Sequence, residues 1–406
     1  MIKDVLVDVG SKEIRLAILE DGEVSEIQIE KNEGQSLVGN IYRGKVVRVL
    51  SGMQSAFIDI GIDKNAYLYV KDVLPAKCDE NGDLLTPTDH LPDISELLKP
   101  GREITVQVIK DALGEKGPRV TTLISIAGRY TVLLPQDNTI GISKRIENQE
   151  ECQRLKSIAE AFKPDKAGLI VRTAAENINE GLLADDINAL SSLWESIRER
   201  EIKGRVPRLI YSEPGIIGHA IREHLSSSVN RFLVNHRETY EKIISLLNIE
   251  APDLKSRVEY YDKEYDMFEY YHVQSALKEA LSRKVWLKSG AYLVFDYTEA
   301  LTVIDVNSGK FVGKTDLEQT AYEINIEAAN AVARQIRLRN LSGIIIVDFI
   351  DMHKKEHREQ LIQHLRDAVK ADKIQTVVVG MTSLGLVEMT RKKVRLPLSK
   401  HCIVPK

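Results

Sequence analysis

Two apolar runs near the C-terminus, each ending in an aspartate, constrain this chain more than any other feature. Leu301-Thr302-Val303-Ile304 leads into Asp305, and Ile344-Ile345-Ile346-Val347 leads into Asp348. Between them, Thr315-Asp316-Leu317-Glu318 has the form of a capping box, and Leu317, Ala321, Ile324, Ala328, Val332 and Ile336 recur at helical spacing. Strand, crossover helix, strand is the unit of a parallel α/β layer. Neighbouring strands lie about 4.8 Å apart, so their carboxyl ends would bring both aspartates to one rim, where open α/β sheets hold ligands. Two carboxylates that close repel unless a proton or cation lies between them. Mg²⁺ suits such a site, since it takes one or two carboxylates and can promote attack of water on a phosphodiester. Asn307 lies two residues beyond Asp305, and its amide could orient a phosphate or a water. The bland readings stand beside this one. A strand-end aspartate also serves as a helix cap or ion-pair partner, Asn307-Ser308-Gly309 also reads as a turn, and Asp351 is a further carboxylate of open role.

The rest of the chain divides by pattern. Val5, Val7 and Val9, then Ile14, Leu16 and Ile18, alternate about a Gly10-Ser11 turn, predicting a hairpin. Short strands follow between about 36 and 124 (YRGKVVRVLSG, SAFIDIGI, AYLYV, REITVQVIK), with a polar insertion at 76–100. That spacing suits a small OB-type barrel. In 125–204, Leu182, Leu183, Ile187, Leu190, Trp194 and Ile197 mark a helix with one buried face. Further helices and the ring-rich tract from Tyr260 to Tyr271 lead to the α/β layer beyond 283. With 406 residues, two to four domains are expected. No run approaches the roughly 18 apolar residues of a membrane span, and three scattered cysteines (Cys78, Cys152 and Cys402) fit a reducing cytoplasm better than a disulfide framework. The net charge of −4 is unfavourable for nucleic acid, although a local basic surface can sit on an acidic protein.

The stretches LTVIDVNSGKF and EAANAVARQIRLRNLSGIIIVDFIDM closely resemble the ribonuclease E/G family, and the resemblance runs over nearly the whole chain. It implies a multidomain α/β protein. Residues 1–35 with 205–282 would form an RNase H-like subdomain, 36–124 an S1-type OB barrel, 125–204 a 5′-sensor region and 283–395 a DNase I-like catalytic subdomain, with 396–406 as a short tail. It further implies a cytoplasmic endoribonuclease in which Asp305 and Asp348 hold Mg²⁺ and Asn307 supports the scissile phosphate. Single-stranded, A/U-rich RNA would be hydrolysed to 5′-phosphate and 3′-hydroxyl ends. Phe57 and Tyr67 would lie on the barrel's RNA face with Lys110 and Lys116 nearby. Arg172 and Thr173 would contact a 5′-monophosphate in a pocket lined by Gly128, Val132 and Lys144. Pattern alone favours the other reading in each case, Phe57 and Tyr67 as core and Arg172 as a surface ion pair.

The pattern departs from the family at LPLSKHCIVPK. A Cys-Pro-x-Cys link, shared by two chains around zinc, is expected there; only Cys402, beside His401, is present. Cys402 and His401 from two chains could still make a Cys₂His₂ zinc site in principle, but adjacent ligands would have to wrap one ion tightly, so zinc is doubtful and the homodimer it would support is weakened or lost. Three other features are read as carrying no chemistry: His353 and His357 as a solvated helix face, Arg391-Lys392-Lys393 with Arg395 as a solvated basic face, and the Tyr260–Tyr271 tract as packing. The rival readings are a non-catalytic RNA-binding or ribosome-assembly factor of the same fold, and an actin-like phosphotransferase suggested by VDVGSKE but unsupported by any Gly-rich phosphate loop.

Overall fold

The computed structural model describes residues 2–31, 36–73, 77–78, 84–85, 92–112, 116–226, 229–309, 316–394 and 397–401. Cys402, Arg395, Thr315 and about half of the 76–100 insertion lie outside the described residues. The chain forms two compact units, one of residues 1–34 with 224–406 and one of residues 35–223. No described helix is long and apolar enough to cross a membrane.

The 35–223 unit contains a closed five-stranded barrel. Its strands Ile41–Leu50, Ser55–Asp59, Ala66–Tyr69, Arg119–Thr121 and Glu103–Lys110 pair in that order, and the last returns to the first. Alternation decides the inside: Ala56, Ile58, Ala66 and Leu68 are buried while the residues between them are not. Closure leaves no unpaired edge along these strands. A second, four-stranded sheet of short strands carries the helices Gln149–Phe162 and Glu180–Ile202, whose apolar faces share one core with it. Residues 205–223, expected with the N-terminal hairpin, make contacts within this unit. Arg208–Tyr211 pairs with the barrel strand Ile41–Leu50, and Arg222 bonds both Glu213 (2.7 Å) and the Ala127 carbonyl (3.1 Å), so residues 205–223 belong with this unit.

The other unit holds two sheets. In the first, the predicted hairpin Lys3–Val9 and Glu13–Glu20 extends to Glu23–Lys31 on one side and to the parallel strands Val229–Val234 and Val258–Tyr260 on the other. The second has six strands in the order Lys284–Trp286, Tyr292–Tyr297, Leu301–Asn307, Gly343–Asp348, Val387–Arg391 and Thr376–Met381. Leu301–Asn307 and Gly343–Asp348 are parallel neighbours joined through the helix Leu317–Leu338, as the sequence predicts. That helix and Lys355–Val369 cover one face of the sheet in a core that includes Ile304, Val306, Ile345 and Val347. The opposite face carries the alternate residues of the same strands, and among the described residues Asp305, Ile344 and Asp348 are exposed on it.

A candidate metal and RNA site on the open sheet face

Asp305 and Asp348 stand directly opposite each other in the register of their two strands. Both face away from the helices, because Ile304, Val306 and Val347 occupy the packed side. Partial burial, then the charges of Asp305 and Asp351, push the Asp348 carboxyl above its ordinary value. Among the described residues no lysine or arginine forms a salt bridge with Asp305, Asp348 or Asp351. The pair therefore carries an excess of negative charge, which is the condition a divalent cation relieves. No described group of three or more His, Cys, Asp or Glu side chains could encage a metal. Two carboxylates with open positions match the coordination habit of Mg²⁺ rather than that of a structural zinc.

Asn307 faces the same way, two residues along from Asp305, and its amide Nδ2 donates to Asp305 Oδ2 at 2.7 Å. One amide N–H thus fixes the carboxylate, and among the described residues a second N–H and Oδ1 remain for a ligand. The chain beyond Asn307 turns at Gly309 (φ +60°). A Cβ there would collide with the Gly290 carbonyl oxygen and approach the Tyr292 ring to 3.3 Å. Only glycine lets the segment lie that close.

The helix Leu317–Leu338 positions the segment after Asp348. The fully buried Asn325 donates to the Ile350 carbonyl (2.8 Å) and accepts from its N–H (3.0 Å). Asp316 caps the helix by accepting from Glu318 N. Thr315, the other half of the expected capping box, lies outside the described residues. The Glu318 carboxylate reaches across to the N–H groups of His353 and Lys354, which hold its pKa below the usual value, and to His357 Nδ1 at 3.0 Å. His357 also stacks on Tyr322, with ring centroids 4.5 Å apart. The solvated face expected for His357 is thus a partly buried clamp, since its partner sits on a helix remote in sequence. Arg391 likewise departs from expectation. It is 5% exposed and paired with Asp372 at 2.6 Å, because the strand Val387–Arg391 turns it inward.

On the barrel, Phe57 and Tyr67 are cross-strand partners on the outer face, half-buried, with ring centroids 6.1 Å apart and nearly perpendicular planes. The core reading fails for both, because the alternate positions fill the interior. Tyr67 is followed in register by Arg119, which pairs with Lys110 on the next strand, and Lys116 is exposed close by. Arg119 is committed to Asp72 at 2.7 Å.

In the four-stranded sheet, the expected sensor residues converge in part. Arg172 follows the strand Gly168–Val171, its backbone N–H donates to the Tyr130 carbonyl, and its Nη1 donates to the Gly128 carbonyl at 2.9 Å. Gly128 begins a turn held by Asp186, whose carboxylate accepts from the N–H groups of Arg129, Tyr130 and Thr131. A Cβ on Gly128 would come within 2.6 Å of that carboxylate. Val132 pairs with Ile170 on the same sheet. Thr173 Oγ1 meets Ser143 Oγ at 2.9 Å, which places it beside the exposed Lys144. Unforeseen from the sequence is Glu223, whose two oxygens each accept from Arg172 Nη2 at 2.6 Å. The ring-rich tract packs ring on ring, Tyr261 on Tyr265 and Tyr265 on Tyr270, although Tyr265 and Tyr270 stay about half exposed.

Comparison with known proteins bears on this arrangement. Residues 125–394 match the model of the ribonuclease E/G family. The chain is 41% identical over 396 residues to Ribonuclease G of Escherichia coli strain K12, covering 97% of this chain and 81% of that protein. It is 41% identical over 394 residues to Ribonuclease G of Haemophilus influenzae, covering 97% and 80%. Against Ribonuclease E of Synechocystis sp. it is 37% identical over 364 residues, covering 89% of this chain and 53% of the relative.

Proposed function

This chain belongs to the ribonuclease E/G family and is an endoribonuclease, and from that premise we propose that it hydrolyses single-stranded RNA at Asp305 and Asp348 with Mg²⁺. The observation that carries the reading is the direct cross-strand pairing of the two aspartates on an open sheet face. Asp305 and Asp348 would hold the cation, which when bound supplies Lewis acidity and charge neutralisation at a phosphodiester. Asn307 orients Asp305 and offers its remaining amide groups to the scissile phosphate. The products are 5′-phosphate and 3′-hydroxyl ends, and A/U-rich segments, which pair weakly, are the substrate class in RNA processing and decay.

The outward Phe57 and Tyr67 stack bases of the bound strand, and Lys110 and Lys116 meet its phosphates. Arg172 and Thr173, with Gly128, Val132 and Lys144 around them, receive a 5′-monophosphate that stimulates cutting. In subdomain terms, we read the five-stranded sheet as RNase H-like, the barrel as S1-type and the six-stranded layer as DNase I-like. The test is cleavage of a short 5′-monophosphorylated A/U-rich RNA with Mg²⁺ and with chelator, beside Asp305→Asn. The expected outcome is metal-dependent cutting that the substitution lowers by several orders of magnitude. Tight binding without cutting would instead make the chain an RNA-binding factor.

A further inference from the structure

The row of residues that reaches Asn307 across the open sheet face begins at two aromatic side chains. Trp286 pairs across strands with Tyr292, and Tyr292 pairs directly with Asn307. The two rings lie 5.1 Å apart between centroids and are tilted by 59°. Lys284, two residues before Trp286 and therefore on the same face, sets its Nζ 4.0 Å from the Trp286 centroid and 3.3 Å from that of Tyr292. The next row along repeats the order with Lys284, Val294, Asp305 and Asp348.

These rings are not core. Val285 and Leu293 fill the packed side of the same two strands, and Trp286 is 58% exposed. An indole left that open next to a lysine and within about 12 Å of Asp305, counted in strand and residue spacings, is a surface on which a flat, anion-linked group can rest. The Gly309 turn keeps the chain low over Gly290 and Tyr292, so the Tyr292 ring is framed at the end of the Asp305 strand.

We propose that Trp286 and Tyr292 form a stacking subsite for the unpaired nucleobase flanking the scissile phosphate, with Lys284 neutralising the phosphate attached to that nucleotide. The proposal rests on the assignment of the scissile phosphate to Asp305 and Asp348. Stacking recognises a π-face common to every base, so the subsite demands an unpaired nucleotide without dictating its identity. A paired base keeps its faces inside its own helix and cannot lie on the indole. The subsite would thereby make single-strandedness a requirement at the cut itself, separately from any capture on the barrel.

The test uses the whole chain with Mg²⁺ and one RNA whose cut has been mapped, made with either a normal or an abasic nucleotide beside that cut. Loss of the base should lower wild-type kcat/KM by about 5- to 150-fold. Trp286→Ala should show a loss of that size on the intact RNA and no further loss on the abasic one, while Trp286→Phe recovers most of the discrimination. A readout independent of turnover comes from 2-aminopurine placed at the same position and bound to the Asp305→Asn protein. Its fluorescence should be quenched, and Trp286→Ala in that background should abolish the quenching. If Trp286→Ala retains both the intact-to-abasic ratio and the quenching, the subsite is overturned. The same holds if the substitution changes only the oligomeric state by sedimentation, since the face would then belong to a second copy. Undiminished cutting by Asp305→Asn would remove the catalytic assignment itself, a failure distinct from either.

Discussion

Arg172 shows most clearly how a single residue's role depends on its neighbours. Its guanidinium is engaged by both oxygens of Glu223 and by the Gly128 carbonyl, so a terminal phosphate would have to compete with a carboxylate already in place. Arg172→Ala is therefore expected to slow cutting of 5′-monophosphorylated RNA far more than of 5′-hydroxyl RNA. Glu223→Gln should act in the opposite direction, raising the ratio of the two rates by a few fold or more, because the incumbent charge is gone. Rate ratios for the two RNAs check both; equal slowing by Arg172→Ala would refute the sensor, and an unchanged ratio in Glu223→Gln would show that no competition exists. Arg172 was singled out by the family resemblance, whereas nothing in the sequence marked Glu223, which lies 51 residues away.

At the scale of elements, the helix Leu317–Leu338 does more than connect two strands. Asn325 grips both backbone groups of Ile350, and Glu318 grips the next turn through His353 and Lys354. These contacts hold the chain immediately past Asp348, so the helix aligns one carboxylate against the other. Asn325→Leu leaves the Ile350 N–H and carbonyl without that partner, at a cost of about 1–3 kcal/mol for each group that stays buried. It should lower Tm and reduce kcat by more than the stability loss alone explains, as judged at a temperature where the variant remains folded. A variant with unchanged kcat and lowered Tm would confine Asn325 to stability. The helix itself is legible from its spacing. The clamp is not, since a polar residue in an apolar stripe reads only as an interruption until its partner is known.

Across the 1–34 and 224–406 unit, one cluster gathers three distant segments. Lys3 and Lys373 each place Nζ 3.2 Å from His224 Nδ1, with Glu20 and Glu26 also acting on Lys3. Burial, then the Lys373 charge, lowers the Lys3 pKa to about 8 from 10.5. Below about pH 8 the folded state carries this partly buried charge at full cost. Between about 8 and 10.5 the unfolded chain binds the extra proton, so this group makes stability rise with pH, and above 10.5 the effect is complete. Lys3→Met should therefore raise Tm at pH 7 and flatten the difference from wild type as pH climbs through that window. Melting curves from pH 6.5 to 10.5 measure it, and a constant offset between the two proteins would contradict the assignment.

Periodicity determined a good deal without any coordinates. Alternation and strand length identified the barrel segments and the N-terminal hairpin, and two apolar runs ending in aspartate around a helical spacing marked the βαβ unit whose acids meet. These are local consequences of side-chain direction, repeating every two or 3.6 residues, and a single segment suffices to display them. What the tertiary structure alone decided is which remote groups meet: Glu318 with His357, Arg391 with Asp372, Glu223 with Arg172, and the residues from 205 to 223 with the barrel unit. The Trp286–Tyr292 pair belongs with these, since the pairing of Tyr292 with Asn307 is what brings the rings to the carboxylates. Pairing between distant segments is set by the packing of whole faces, and no window of sequence contains both partners.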